Sequence, residues 1–157
     1  LVLRYYRKIQ WTFQPQSSEE VKFECIALTA SSNISRSIEV VVPSEEFYID
    51  QNKTTMEVET DETNPGNIDV TLNCTIVGGP VTYASFALET ESDGHLSVYD
   101  MTPTRVNLSR TETLITVTEH FDNENYRIDT VKAIYCYAVS ANNRGIDYEM
   151  FGRGDHW

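Results

Sequence analysis

Apolar and polar residues alternate along most of this chain, and a period of two belongs to half-buried strands rather than to helices. Ile9, Trp11 and Phe13 fall on one side of a first run, and Val21, Phe23, Cys25 and Ala27 on one side of a second. A third run follows at 37–42. After a polar step at 43–46 the alternation resumes, with strands expected at 47–50 and 55–60 as a split first strand, then at 68–77, 83–89, 95–101, 113–118, 131–140 and 146–151. Turn formers separate them: Thr63-Asn64-Pro65-Gly66-Asn67, Gly78-Gly79-Pro80, Ser92-Asp93-Gly94, a polar corner at 122–125, and Asn142-Asn143-Arg144-Gly145. Many short strands punctuated in this way, with no helical period among them, predict an all-β sandwich.

Composition narrows the class of partner. The 157 residues are 40% apolar, enough for a packed core, and carry 24 acidic against 12 basic side chains, a formal charge of -12. Such a surface repels phosphate backbones and anionic membranes, so no nucleic-acid partner is expected. No run of 18 apolar residues occurs, so no membrane span is expected in this stretch of chain. Four Asn-x-Ser/Thr sequons begin at Asn33, Asn52, Asn73 and Asn107, and together they predict N-linked glycans and an extracellular location, secreted or on a cell surface. The chain opens at Leu1 without a charged-then-apolar leader, so a signal segment is expected to have been removed.

Certain motifs are shared with a known family. The strand around Cys25, with Phe23-Glu24-Cys25, reads like the strand around Cys136, and Leu72-Asn73-Cys74, Leu114-Ile115-Thr116-Val117 and Cys136-Tyr137-Ala138 running on to Asn142 and Gly145 complete the set. Over nearly its whole length the chain resembles the immunoglobulin superfamily, nearest to the intermediate-set or C2-type tandem repeats of cell-surface and matrix proteins. The resemblance implies an immunoglobulin-like sandwich in which Cys74 on strand B and Cys136 on strand F, 62 positions apart, form the cross-sheet disulfide. It also implies one complete domain preceded by half of another: residues 1–42 as strands E, F and G of a truncated domain, 43–152 as the complete domain, and 153–157 as a linker or tail. Cys25 would then be unpaired here, its partner lying outside this chain. Two departures stand out. Phe86 occupies the region where the family has its core tryptophan, and Ile134 the position of its corner tyrosine, with Tyr135 displaced by one, which predicts a bulge or altered corner before strand F.

Catalysis is not expected. His95, His120 and His156 lie far apart without ligand spacing, no nucleophile-elbow, Cys-x-x-Cys or phosphate-loop motif occurs, and no cofactor is implied. Asp122, Asn123, Glu124 and Asn125, with Glu119 and Asp129, offer oxygen ligands of the kind calcium takes, but without a known loop spacing they read as solvated corner residues, and no metal is assigned. Arg153-Gly154-Asp155 is similar to an integrin-recognition tripeptide placed in the tail. The stronger feature comes from alternation. If Ile134, Cys136 and Ala138 face the core, then Tyr135, Tyr137 and Val139 face outward, with Tyr83 beside them when Phe86 points in. Those four residues form the expected partner-binding face, on a sheet with no sequon in the complete domain. The expected function is therefore a non-enzymatic module for adhesion or receptor recognition that binds a protein partner or a second copy. Two alternatives are a structural repeat of an extracellular filament or matrix and a calcium-dependent adhesion module.

Overall fold

Backbone pairing turns these alternating runs into two separate units, Leu1–Val42 and Pro43–Trp157. The computed structural model describes residues 10, 20–28, 30–41, 46–64, 66–122 and 127–152. The expected strand at 9–13 and the polar step at 43–45 lie outside them.

In the first unit β1 (Glu20–Leu28) and β2 (Asn33–Val41) form an antiparallel hairpin, with Phe23 opposite Ile38, Cys25 opposite Arg36 and Ala27 opposite Ile34. Directly opposed residues share a face, so Phe23, Ala27, Ile34 and Ile38 gather on one side around Cys25. That side is uncovered among the described residues: Ile34 and Ile38 are exposed, and so is the free thiol of Cys25. β2 begins earlier than the expected strand, and Asn33 opens it.

The second unit comprises β3 (Phe47–Ile49), β4 (Thr55–Thr60), β5 (Ile68–Gly78), β6 (Val81–Ser92), β7 (His95–Met101), β8 (Thr104–Asn107), β9 (Glu112–Phe121), β10 (Val131–Ser140) and β11 (Gly145–Phe151). One sheet runs β3-β5-β9-β8, with β4 also on β5, and the other runs β11-β10-β6-β7. Every pairing is antiparallel. The two sheets pack face to face as an immunoglobulin-like sandwich.

The core sits between them. β5 contributes Val70, Leu72, Cys74 and Ile76, β6 Phe86 and Leu88, β9 Ile115 and Phe121, and β10 Ile134, Cys136 and Ala138, all buried. Phe86 is fully buried, so it fills the interior where the resembled family carries a tryptophan. A disulfide joins Cys74 to Cys136 across the sheets, with the two Cα atoms 6.4 Å apart, within the span a cystine bridges.

Three local features depart from plain alternation. β3 and β4 pair with the same edge of β5, interrupted by a 3-10 turn at Gln51–Lys53 in which the Asp50 carboxylate accepts from the Asn52 N–H at 3.1 Å. That turn lies over Thr75, whose hydroxyl donates to the Lys53 carbonyl and whose N–H donates to Thr54 Oγ1, and so buries a side chain that strict alternation would send to solvent. At the end of β5, Gly78 adopts φ of +94°, and a methyl group there would run into the Glu46 carbonyl oxygen, so the position requires glycine. Before β10 the chain makes a second 3-10 turn, Ile128–Thr130, closed by Thr130, which donates to the Arg127 carbonyl from both its N–H and its hydroxyl. The register of β10 then shifts between Val131 and Ala133 and between Val139 and Ser140 against β6, and between Ile134 and Tyr135 against β11, so the irregularities lie within the strand rather than before it.

Closing a loop of this length stabilises the fold by about 4 kcal/mol on chain-entropy grounds. Replacing both Cys74 and Cys136 by alanine is therefore expected to remove about that much from the urea-unfolding free energy. A loss below about 1 kcal/mol would mean the bridge does not constrain the chain.

Candidate functional site

Register decides what the outer face of the β11-β10-β6-β7 sheet carries. On β10, Ile134, Cys136 and Ala138 are buried, so Tyr135, Tyr137 and Val139 point away from the core, and β6 opposes them with Ala87, Ser85 and Tyr83 in that order. The face therefore consists of rows across the strands. One row reads Glu149 on β11, Tyr135 on β10, Ala87 on β6 and Asp100 on β7; the next reads Asp147, Tyr137 and Ser85. Each tyrosine has a carboxylate on one side and a small residue on the other.

The small residues make room for the rings. Ser85 faces out by register yet is only 2% exposed, so side chains lie over it, and its hydroxyl donates to the Met101 carbonyl. Tyr137 and Tyr83 meet with ring centroids 5.7 Å apart and planes inclined by 42°, a favourable tilted pair. Tyr137 Oη donates to Tyr83 Oη at 3.3 Å, and the negative charge of the nearby Asp100 carboxylate also acts on the Tyr137 phenol. Tyr135 stands directly opposite Glu149 on β11. These contacts hold the rings in fixed positions while leaving Tyr83 49% exposed.

Both phenols resist ionisation. Burial under its neighbours pushes Tyr137 up from the ordinary tyrosine value, and its hydrogen bonds to Tyr83 and Asp100 push it further. Partial desolvation raises Tyr135, reinforced by the negative charges of Glu149 and Glu89. At physiological pH the face therefore presents neutral phenol rings.

The remaining expected sites are scattered. Asn52 is exposed in the Gln51–Lys53 turn, and Asn73 lies on the outer face of β5, where its Nδ2 donates to Thr55 Oγ1 at 3.3 Å. Asn107 ends β8, a strand that the alternation did not reveal because all four of its residues are exposed. Its partner is Thr113, which is buried, so Asn107 lies on the inward side of the pleat and a sugar there would leave from the rim of the sandwich rather than from the open sheet. None of these asparagines belongs to the tyrosine-bearing sheet. Asp129 is held by the Arg127 guanidinium, and among the described residues no three His, Cys, Asp or Glu side chains converge on a point. Asn123, Glu124, Asn125, His156 and the Arg153-Gly154-Asp155 tripeptide lie outside the described residues.

Alternation in the sequence locates the tyrosines but misses Asp100, Asp147 and Glu149, because only strand register brings those three beside the rings. No family model, curated protein or solved structure matches this chain, so its class, an all-β sandwich with a cross-sheet disulfide, is read from its own geometry. No helix among the described residues is long and apolar enough to cross a membrane.

A tyrosine whose value is raised on folding contributes stability that is complete below the unfolded value near 10 and is lost as pH rises through the folded value. Tyr137→Phe is accordingly expected to flatten the fall in stability above about pH 10 and to delete a late-titrating phenol from the ultraviolet absorbance titration. Loss of absorbance centred at about pH 10 instead would show that Tyr137 ionises like a free phenol. For the sugars, expression in a secreting eukaryotic cell should give occupancy at Asn33, Asn52, Asn73 and Asn107, read by glycosidase release in heavy-oxygen water. Asn73 is the informative position, because its outward pleat can carry a glycan only in the register described above.

Proposed function

We propose that this chain belongs to an extracellular protein of tandem immunoglobulin-like domains and acts, without catalysis, by binding a partner protein through the outer face of its β11-β10-β6-β7 sheet. The observation that carries the reading is the fixed group of Tyr83, Tyr135 and Tyr137 on a sheet whose strands hold no sequon. Tyrosine gives large contact area and a polar tip at low entropic cost, which is why it is enriched at the centres of protein interfaces. The four sequons and the disulfide support an oxidising, extracellular setting.

The tandem arrangement is supported by the first unit. Its hairpin repeats the cysteine-bearing strand pattern of β10, and its apolar side around Cys25 has no cover among the described residues, as expected of F and G strands whose opposite sheet is supplied by other chain. A two-stranded hairpin with an open apolar side is marginal by itself.

The double variant Tyr135→Ser/Tyr137→Ser tests the binding face. Once a partner has been isolated from extracellular proteins of the source, the variant should bind it about 30-fold more weakly, a loss of about 2 kcal/mol, while its circular dichroism spectrum stays that of the parent. A folded double variant with parental affinity would remove this sheet from consideration.

A further inference from the structure

The tyrosine face has a pronounced charge asymmetry. Strands β6, β7, β10 and β11 together contain five carboxylates, Glu89, Glu91, Asp100, Asp147 and Glu149, and a single Lys or Arg, Lys132. That one cation is already committed, with its ammonium 3.3 Å from Glu91. The carboxylates nearest the rings have no basic partner within the sheet. Asp100 and Glu149 instead lie beside neutral phenols, close enough for their charges to act on Tyr137 and Tyr135, and a carboxylate offers about four lone-pair sites to donors.

We propose that this face takes arginine side chains of a basic partner protein, the guanidinium lying on a tyrosine ring and donating to the carboxylate beside it. The proposal rests on the binding-face reading above and specifies the partner's chemistry. Three properties of the site converge on it. The Tyr137 hydroxyl is directed at Tyr83, so what this residue offers a partner is ring surface, and ring surface attracts cations. A planar guanidinium can stack on a ring while its edge donates to a carboxylate, which a point-charge ammonium cannot do as well. Glu149 and Asp100 stand at the two ends of the Tyr135 row, so a cation over that row has an anion on either flank.

The same charges argue against a second copy as the occupant. In a two-fold dimer built on this face, the acids of β7 and β11 would be brought against those of the other copy, and like charges brought together at an interface cost several kcal/mol. Anionic polysaccharides and nucleic acids are repelled for the same reason.

The test uses the whole chain with two synthetic probes, nona-arginine and nona-lysine peptides, at about 150 mM salt to suppress long-range attraction by the protein's net charge. Nitrogen-15 amide shifts should map to β6 and β10 around Tyr83, Ala87, Tyr135 and Tyr137, and calorimetry should give nona-arginine an affinity at least ~5-fold above nona-lysine. The isosteric variant Asp100→Asn/Asp147→Asn/Glu149→Gln should weaken nona-arginine at least ~10-fold, and so should Tyr135→Leu/Tyr137→Leu, which keeps apolar bulk for folding but removes the π faces. The control Glu57→Gln/Glu59→Gln/Asp69→Asn deletes three exposed charges from the opposite sheet and should change affinity less than ~2-fold. Equal losses in the control and the test triple would reduce the effect to net charge and overturn the proposal. If the tyrosine variants lose the natural partner while the charge triple retains it, arginine recognition falls but the binding-face reading stands. If neither loses it, both fall.

Discussion

The pairing of two buried strands, β5 and β10, through the Cys74–Cys136 bridge is the constraint from which the rest of the second unit follows. Side chains on a strand alternate strictly, so fixing one of them in the core fixes the direction of every neighbour. With Cys136 fully buried, Tyr135 and Tyr137 have no choice but the outside, and with Cys74 buried Asn73 is likewise turned out. A slip of one residue in β10 would place two phenols in an apolar interior, where their hydroxyls would need partners that Leu72, Ile115 and Phe86 cannot offer, and a slip in β5 would bury Thr71 and Asn73 there instead. The covalent bridge and the hydrophobic pattern therefore enforce the same register.

How much of this could be read from the sequence depended on whether an element's identity was written in its own residues. β7 (His95–Met101) and β10 (Val131–Ser140) have the expected bounds, and β10 shows why: eight of its ten positions are apolar or aromatic and it is bounded by turns. β8 was illegible because Thr104–Asn107 has no buried residue and hence no alternation to detect; its identity as a strand comes from pairing with β9. Thr75 shows the converse failure. Its position in the alternation assigns it to solvent, but a turn more than twenty residues earlier folds over it, and that is a tertiary fact.

The candidate site divides along the same line. Tyr83, Tyr135, Tyr137 and Val139 were legible because alternation within a single strand places each of them. The carboxylates that complete the face were not, because Asp100, Asp147 and Glu149 lie on edge strands and reach the tyrosines only through the register of two hairpins. The chain carries 24 acidic residues, so no local signal separates these three from the others.

The arrangement of those acids also explains how a sheet can bear them. Like charges directly opposite one another on neighbouring strands destabilise a sheet, and here the rows avoid that: Tyr135 and Ala87 stand between Glu149 and Asp100, and Tyr137 lies next to Asp147. The Tyr137 hydroxyl is directed at Tyr83 and Tyr135 stands beside Glu149 without adding a charge, so the acids are spaced by neutral rings and none of them is neutralised. A lysine at position 135 or 137 would also have satisfied these acids, but it would have cancelled the negative potential and left no ring surface. Tyrosine keeps both. The face is therefore stable alone and still carries an uncompensated field, and because that field is concentrated over four strands it acts with greatest strength on a cation that comes into contact with the rings.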